Sequence, residues 1–347
     1  MMNMQKKLML FLLTALFGCQ QHPENSTVSG YFKNDTPGLK TGGAQVVQIE
    51  TMGKKFNVWT KSFGNSPTMK LLLLSGGPGT SHEYFECMES FLPAEGIELI
   101  YYDQLGTGFS DNPDDTAFWD LDRYVEELEQ VRKALGLNKN NCYLLGHSWG
   151  GLLGMQYALK YQDSLKGLII SNMMSNVPAY GKYAQDVLAK GMDSSVVAEI
   201  RQIEAKGDYA NPRYMELLVP NFYEKHVLRM PANQWPEPFN RAMGRLNQSL
   251  YVTMQGPSEF GVAGKLINWS VQDRLKELKV PTLVIGGTHD TMDPEHMKKM
   301  SEWVQNGSFL LCPNGSHMSM YDDQEAYMAG LIKFILGVNQ GKAKSIL

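Results

Sequence analysis

Six short, nearly continuous apolar runs restrict the fold of this chain more than any other feature of it. They occupy residues 69–75, 97–102, 142–145, 168–171, 282–285 and 308–311, and in the first of them only Lys70 breaks the apolar character before the glycines that follow. Runs of this length without polar alternation read as strands buried on both faces. Helical patterns lie between them. In residues 120–135, Leu121, Tyr124, Val125, Leu128, Val131 and Leu135 form one apolar face with charges opposite. Buried strands alternating with amphipathic helices predict an α/β fold, a mostly parallel sheet with helices on both faces. A first hairpin is expected over residues 45–58, turning at Met52-Gly53-Lys54.

The chain has 347 residues, enough for one α/β domain with an inserted subdomain. Between about 177 and 270 strand signals vanish, while helix-like stretches (183–190, 195–205, 212–229, 238–251), prolines and aromatics accumulate. This predicts a helical cap at 177–270, inserted between a first core segment, 42–176, and a second, 271–340. The net charge of −4, without a Lys/Arg block, offers no field for nucleic acid.

At the N-terminus, Lys6 and Lys7 precede an apolar run over 8–13, and Gly18 precedes Cys19. A basic segment followed by a short apolar one is the pattern of a secretory signal, here 1–18, too short to span a bilayer as a folded element. A small residue before cysteine resembles the bacterial lipobox, which predicts export, lipidation of Cys19 and membrane attachment through that lipid. An ordinary signal with an incidental cysteine is the other reading. Residues 19–41 are polar with Pro and Gly and read as a tether. Cys87, Cys142 and Cys312 remain, read as free thiols, and no Cys/His spacing resembles a zinc site.

Gly146-His147-Ser148-Trp149-Gly150 matches the G-x-S-x-G pattern of a nucleophile elbow, with a strand before it and a helical pattern after it. Glycines suit that turn because a Cβ would clash there. A serine hydroxyl needs a base, itself oriented by an acid. In the α/β-hydrolase fold the chain order is serine, acid, histidine. Asp290 follows the strand at 282–285, and His317 follows the strand at 308–311. Asp290 is therefore the expected acid and His317 the expected base, with Asp293 as the rival acid. The oxyanion donors are expected to be the backbone N–H groups of Trp149 and of Gly77, within Ser75-Gly76-Gly77-Pro78-Gly79.

These segments resemble the proline iminopeptidases over essentially the whole mature chain. The resemblance is carried by Gly76-Gly77-Pro78-Gly79, by Asp103-Gln104-Leu105-Gly106-Thr107-Gly108-Phe109-Ser110, and by the elbow through Gly151. In the cap it rests on Phe222-Tyr223-Glu224-Lys225-His226 and Gly256-Pro257-Ser258-Glu259-Phe260, and beyond it on Asp290 and Ser316-His317-Met318-Ser319-Met320. It implies release of an N-terminal residue, often proline, from short peptides; an amino-acid amidase or esterase of the same fold is the alternative, motivated by the residue at position 291. It also implies that Glu259 binds the substrate ammonium. Thr291 stands where the family usually has a second glutamate, and Ser75 where it usually has histidine; Asp293 is close enough in sequence to substitute partly for that glutamate. Trp149, Phe222, Phe260 and Trp269 are expected either as apolar pocket walls or as core. Neither metal nor organic cofactor is implied.

Overall fold

The computed structural model describes residues 38–39 and 43–342. The leader, Cys19 and most of the 19–41 segment lie outside the described residues. Among the described residues nine strands form one sheet: β1 (Gly38–Leu39), β2 (Ala44–Thr51), β3 (Lys54–Phe63), β4 (Lys70–Leu74), β5 (Glu98–Asp103), β6 (Cys142–His147), β7 (Gly167–Ser171), β8 (Thr282–Gly287) and β9 (Gly307–Cys312). Their order is β1-β2-β3-β5-β4-β6-β7-β8-β9. The first three strands and β5 pair antiparallel, and every pairing from β5 through β9 is parallel. The β2–β3 hairpin turns on Met52 and Gly53, both at positive φ (50° and 73°), as a two-residue turn matched to strand twist demands. Gly38–Leu39, inside the stretch read as tether, instead pairs with β2.

The apolar runs are continuous because both sheet faces are covered. Leu72, Leu74, Leu144, Ile170 and Val284 join one core cluster, with α1 (Leu121–Ala134) and α2 (Trp149–Tyr161). Their neighbours Leu71, Leu73, Tyr143, Leu145, Ile169, Leu283 and Ile285 join the cluster on the opposite face. The Lys70 interruption is answered across the ladder. Lys70 pairs in register with Glu98, and their side chains form an ion pair at 2.5 Å. One expectation fails: β9 is not buried on both faces. It is the edge strand, and Leu311 is 44% exposed.

Between β7 and β8 the chain is helical: α3 (Val177–Tyr183), α4 (Ser194–Ala205), α5 (Pro212–Leu218), a π-helical stretch (Val219–Val227), α6 (Glu237–Gly244) and α7 (Gln248–Met254). The helix expected over 212–229 runs unbroken from 212 to 227 but passes from α to π form at Val219, next to Pro220, which lacks the N–H an α-helical bond would need there. The 238–251 pattern is split, because Asn247 caps α7 through its side-chain oxygen. At the neck of this insert Asn176 and Ser270 form an isolated antiparallel bridge, flanked by Val177 N–H to Trp269 O and Val271 N–H to Ser175 O, both 2.9 Å. After β8 come α8 (Pro294–Trp303), α9 (Ser319–Asp322) and α10 (Gln324–Asn339).

β4 lies between β5 and β6, so the chain leaves it in one direction and returns on its other side. At such a switch point the loops after neighbouring strands part and leave a crevice at the strands' C-terminal ends. The ladder pairs Leu74 with Gly146, His147 with Ser171, and Gly287 with Cys312. The loops carrying Gly77, Ser148, Asn172, Asp290 and His317 thus leave the same edge. Ser148 itself has φ 55° and ψ −124°, a strained elbow. A Cβ on Gly150 would stand 2.0 Å from the Leu74 carbonyl oxygen. Gly150→Ala is therefore expected to lower the unfolding free energy by at least about 1–3 kcal/mol, the usual cost of overpacking, as measured by urea titration.

Candidate active site

The Gly77 loop, Ser148, Asp290 and His317 each stand just past a strand end, whereas Glu259 comes from the helical insert. Ser148 occupies the β6–α2 turn, where Gly146 and Gly150 allow the helix to start against β4. Among the described residues its hydroxyl has no hydrogen-bond partner, and neither does the N–H of Trp149, an orphan donor in the first turn of α2. The N–H of Gly77 is also unpartnered among them, while that of Gly76 is taken by the Tyr84 hydroxyl at 2.7 Å. Gly77 has φ +102°, and a Cβ there would meet the Gly79 nitrogen at 2.8 Å. Ser75 closes the loop by donating to Thr80 O at 2.7 Å.

Asp290 and His317 meet. The Nδ1 of His317 lies 2.9 Å from Asp290 Oδ1, and both residues are buried. Burial pulls the His317 pKa down, but the Asp290 charge and hydrogen bond outweigh it, and the net direction is up. With Nδ1 bound to the carboxylate, Nε2 is left without a partner among the described residues and can receive a proton. Asp290 also accepts from the Met292 N–H at 3.1 Å and, on its other oxygen, from Asn172 Nδ2 at 2.7 Å. Thr291 is turned into this pair, its hydroxyl 3.1 Å from His317 Nδ1 and 3.3 Å from Asp290 Oδ1. Asp293 does neither job assigned to it as a rival. Its carboxylate caps α8 by accepting from Glu295 N–H at 3.0 Å.

Ser148, His147, His317, Gly76, Gly77 and Glu259 share one cavity of about 320 Å³. Its remaining walls are largely aromatic and apolar, with Tyr209, Tyr214, Tyr223, Trp235, Phe239 and Tyr251 prominent. Among the described residues that line it, Glu259 is the one carboxylate. Half-buried, it accepts from Tyr251 Oη at 2.8 Å and Tyr180 Oη at 3.3 Å and has no cationic partner within 4.0 Å among the described residues.

The expected aromatic walls lie elsewhere. Phe222 and Phe260 pack on each other, ring centres 5.1 Å apart, in the cap's own core behind the cavity. Trp149 sits under the elbow, its indole N–H donating to Gln104 at 2.9 Å, and Trp269 packs at the neck. The walls come instead from Tyr223, next to Phe222 in the π-helical stretch, and from Tyr209, Tyr214, Trp235, Phe239 and Tyr251 elsewhere in the insert. Asn172 went unnoticed in the sequence. Its φ of 52° was the only local irregularity, and a lone Ser-Asn after a strand carries no signal.

The cap also grips the base loop. His226 O accepts from His317 N–H at 2.9 Å, and Val227 O from Met318 N–H at 2.8 Å. Arg229 donates to Asn314 O at 2.7 Å, and His226 Nδ1 lies 2.9 Å from His289 O. Among the described residues no cluster of three or more His, Cys, Asp or Glu is placed to hold a metal, and no helix is long and apolar enough to cross a membrane.

The family model for the α/β hydrolase fold matches residues 70–324. Among curated relatives, the proline iminopeptidase of Flavobacterium johnsoniae is 53% identical over 297 residues, covering 86% of this chain and 99% of its own. That of Saccharolobus solfataricus is 33% identical over 310 residues, covering 89% and 95%. Among solved structures, the proline iminopeptidase of Mycobacterium smegmatis superposes with a TM-score of 0.75 at 28% identity, over 86% of this chain and 99% of that one. VinJ gives a TM-score of 0.78 at 28% identity, over 84% and 98%.

Asn172 joins the acid to the base loop, since its Nδ2 also donates to Ser316 O at 3.0 Å. Asn172→Ala strips the buried Asp290 Oδ2 of its donor and the Ser316 carbonyl of one of two, the Ser319 hydroxyl remaining at 2.5 Å. It should cost about 1–3 kcal/mol in thermal or urea unfolding.

Proposed function

We propose that this chain, which belongs to the proline iminopeptidase family of the α/β hydrolases, is a serine aminopeptidase that releases N-terminal residues, preferentially proline, from short peptides. The observation that carries the reading is Glu259: an unpaired, half-buried carboxylate on the wall of the cavity that holds Ser148 and His317. A negative charge there suits the free ammonium beside a scissile carbonyl. Its tyrosine partners are neutral donors that hold the carboxylate in place and leave its charge uncancelled.

In this scheme Ser148 Oγ attacks the carbonyl carbon while His317 Nε2 takes the hydroxyl proton. Asp290 orients the imidazole and stabilises the imidazolium that forms. The free N–H groups of Gly77 and Trp149 hold the oxyanion. His317 then passes the proton to the leaving amine, and water attacks the acyl-enzyme by the same route in reverse. Thr291 and Asp293 are engaged with the triad and with a helix cap, which leaves ammonium recognition to Glu259.

Hydrolysis of proline and alanine naphthylamides, with N-acetylated and simple ester controls, tests this. Free-amine substrates should be cleaved and blocked ones rejected. Glu259→Gln should lower kcat/KM by roughly 10- to 100-fold, the equivalent of one charge-assisted contact. Ser148→Ala should fold and lose turnover by several orders of magnitude. Equal cleavage of blocked amides would remove the aminopeptidase assignment and leave a serine hydrolase.

For the N-terminal segment the proposal is export with a lipid on Cys19. It is supported by Lys6 and Lys7, the apolar run over 8–13 and the Gly18-Cys19 pair. Labelling of cells with radioactive palmitate should mark the full chain and not Cys19→Ala; an unlabelled wild-type chain would leave only an ordinary leader.

A further inference from the structure

Beside the nucleophile runs a hydrogen-bond chain that no catalytic step above uses. It begins at Gly76, whose N–H donates to Tyr84 Oη at 2.7 Å. Tyr84 Oη lies 3.2 Å from His147 Nδ1, and His147 Nε2 lies 2.8 Å from the carbonyl oxygen of His317. A carbonyl only accepts, so Nε2 carries the proton and Nδ1 must accept from the tyrosine hydroxyl. Every donor then meets an acceptor, with one tautomer of His147 throughout.

The chain links segments that are remote in sequence. Gly76 is on the loop after β4, Tyr84 on the helical turns His82–Ser90, His147 at the end of β6, and His317 on the loop after β9. It passes next to the nucleophile, since a Cβ on Gly76 would stand 3.1 Å from Ser148 Cβ. His147 is buried, and burial first, then the neighbouring His317, hold its pKa down at about 3. It therefore stays neutral and keeps one accepting and one donating nitrogen across the working range of a histidine base.

We propose that His147, the free position of the elbow motif, is a positioning residue for acylation, tying the backbone of His317 to the oxyanion loop across Ser148. This rests on the roles given above to Ser148, His317 and Gly77. The Tyr84 hydroxyl holds the Gly76 N–H away from the cavity, so Gly77 is the loop's open donor. His147 sets how far that loop stands from the base. A displacement on either side misaligns the proton acceptor and the oxyanion donors without touching the Glu259 wall.

Steady-state kinetics on a free-amine naphthylamide test this with four variants of the full chain. His147→Phe keeps the bulk and loses both bonds, and should lower kcat by roughly 10- to 100-fold with KM little changed. His147→Gln offers one acceptor and one donor and should restore most of that loss. Tyr84→Phe should lower kcat less, and added to His147→Phe it should cost less than it does alone, because the link through His147 is already broken and only the Tyr84–Gly76 bond is left to lose. Near-wild-type kcat in His147→Phe would overturn the proposal. So would a glutamine variant as impaired as the phenylalanine one, additive losses, or a KM that rises in step. Should His147→Phe not fold, Tyr84→Phe carries the test: a kcat loss at constant KM supports the role, and unchanged kcat ends it. Fluorophosphonate labelling of the wild-type chain reads the underlying assignment separately. An unlabelled Ser148 would remove the nucleophile itself, whereas a labelled enzyme with a fully active His147→Phe variant removes only the positioning role.

Discussion

Between β6 and α2 the backbone packs so closely that no side chain fits two residues to either side of the serine. A Cβ on Gly146 would stand 2.0 Å from the Gly150 carbonyl oxygen, and one on Gly150 the same distance from that of Leu74. This contact lets the helix start directly above the strand and leaves Ser148 projecting from the edge. The rest of the site is arranged around it. Gln104, from the loop after β5, donates to Ser75 O at 3.1 Å and accepts from the Trp149 indole, so the oxyanion loop and the first turn of α2 share a side chain. Asp103 stabilises the same region, receiving the His82 N–H at 3.0 Å and the Phe109 N–H at 2.9 Å.

Two carboxylates at this edge have opposite surroundings, and the contrast defines their chemistry. Asp290 is fully buried and saturated, with donors from Asn172, Met292, Thr291 and His317. It has nothing left to offer a ligand and serves to hold an imidazole. Glu259 is half-buried and, among the described residues, its carboxylate is held by tyrosine hydroxyls alone, so its charge faces the cavity. Environment thus separates two chemically equal groups, one closed in by donors beside an imidazole and one facing the cavity, which is the contrast the proposed roles rest on.

Much of this was legible in the sequence because the responsible physics is local. Buried strands announce themselves by lost alternation, and the elbow by glycines that sterics require. The acid and base follow from standing just beyond strand ends. What resisted reading depends on facing. Phe222 and Phe260 were sound candidates for a lined pocket, yet the π-helical stretch points Tyr223 to the cavity and leaves those two rings to each other. Thr291 looked like a lost ammonium ligand. Its hydroxyl instead joins the Asp290–His317 pair, a contact that spans 26 residues and has no one-dimensional trace. Asn172, which joins β7 to both the acid and the base loop, was invisible for the same reason. The edge position of β9 likewise follows from strand order and not from its own residues.

The grip of the cap on the loop after β9 has a mechanical consequence. The carbonyls of His226 and Val227 hold the backbone of the very segment that presents the His317 ring. A shift of the cap would have to break those two hydrogen bonds or carry the His317 loop with it, so the roof of the cavity and the base are joined as one mechanical unit. Met215 and Met243, 40% and 37% exposed, line the cavity where it meets the surface.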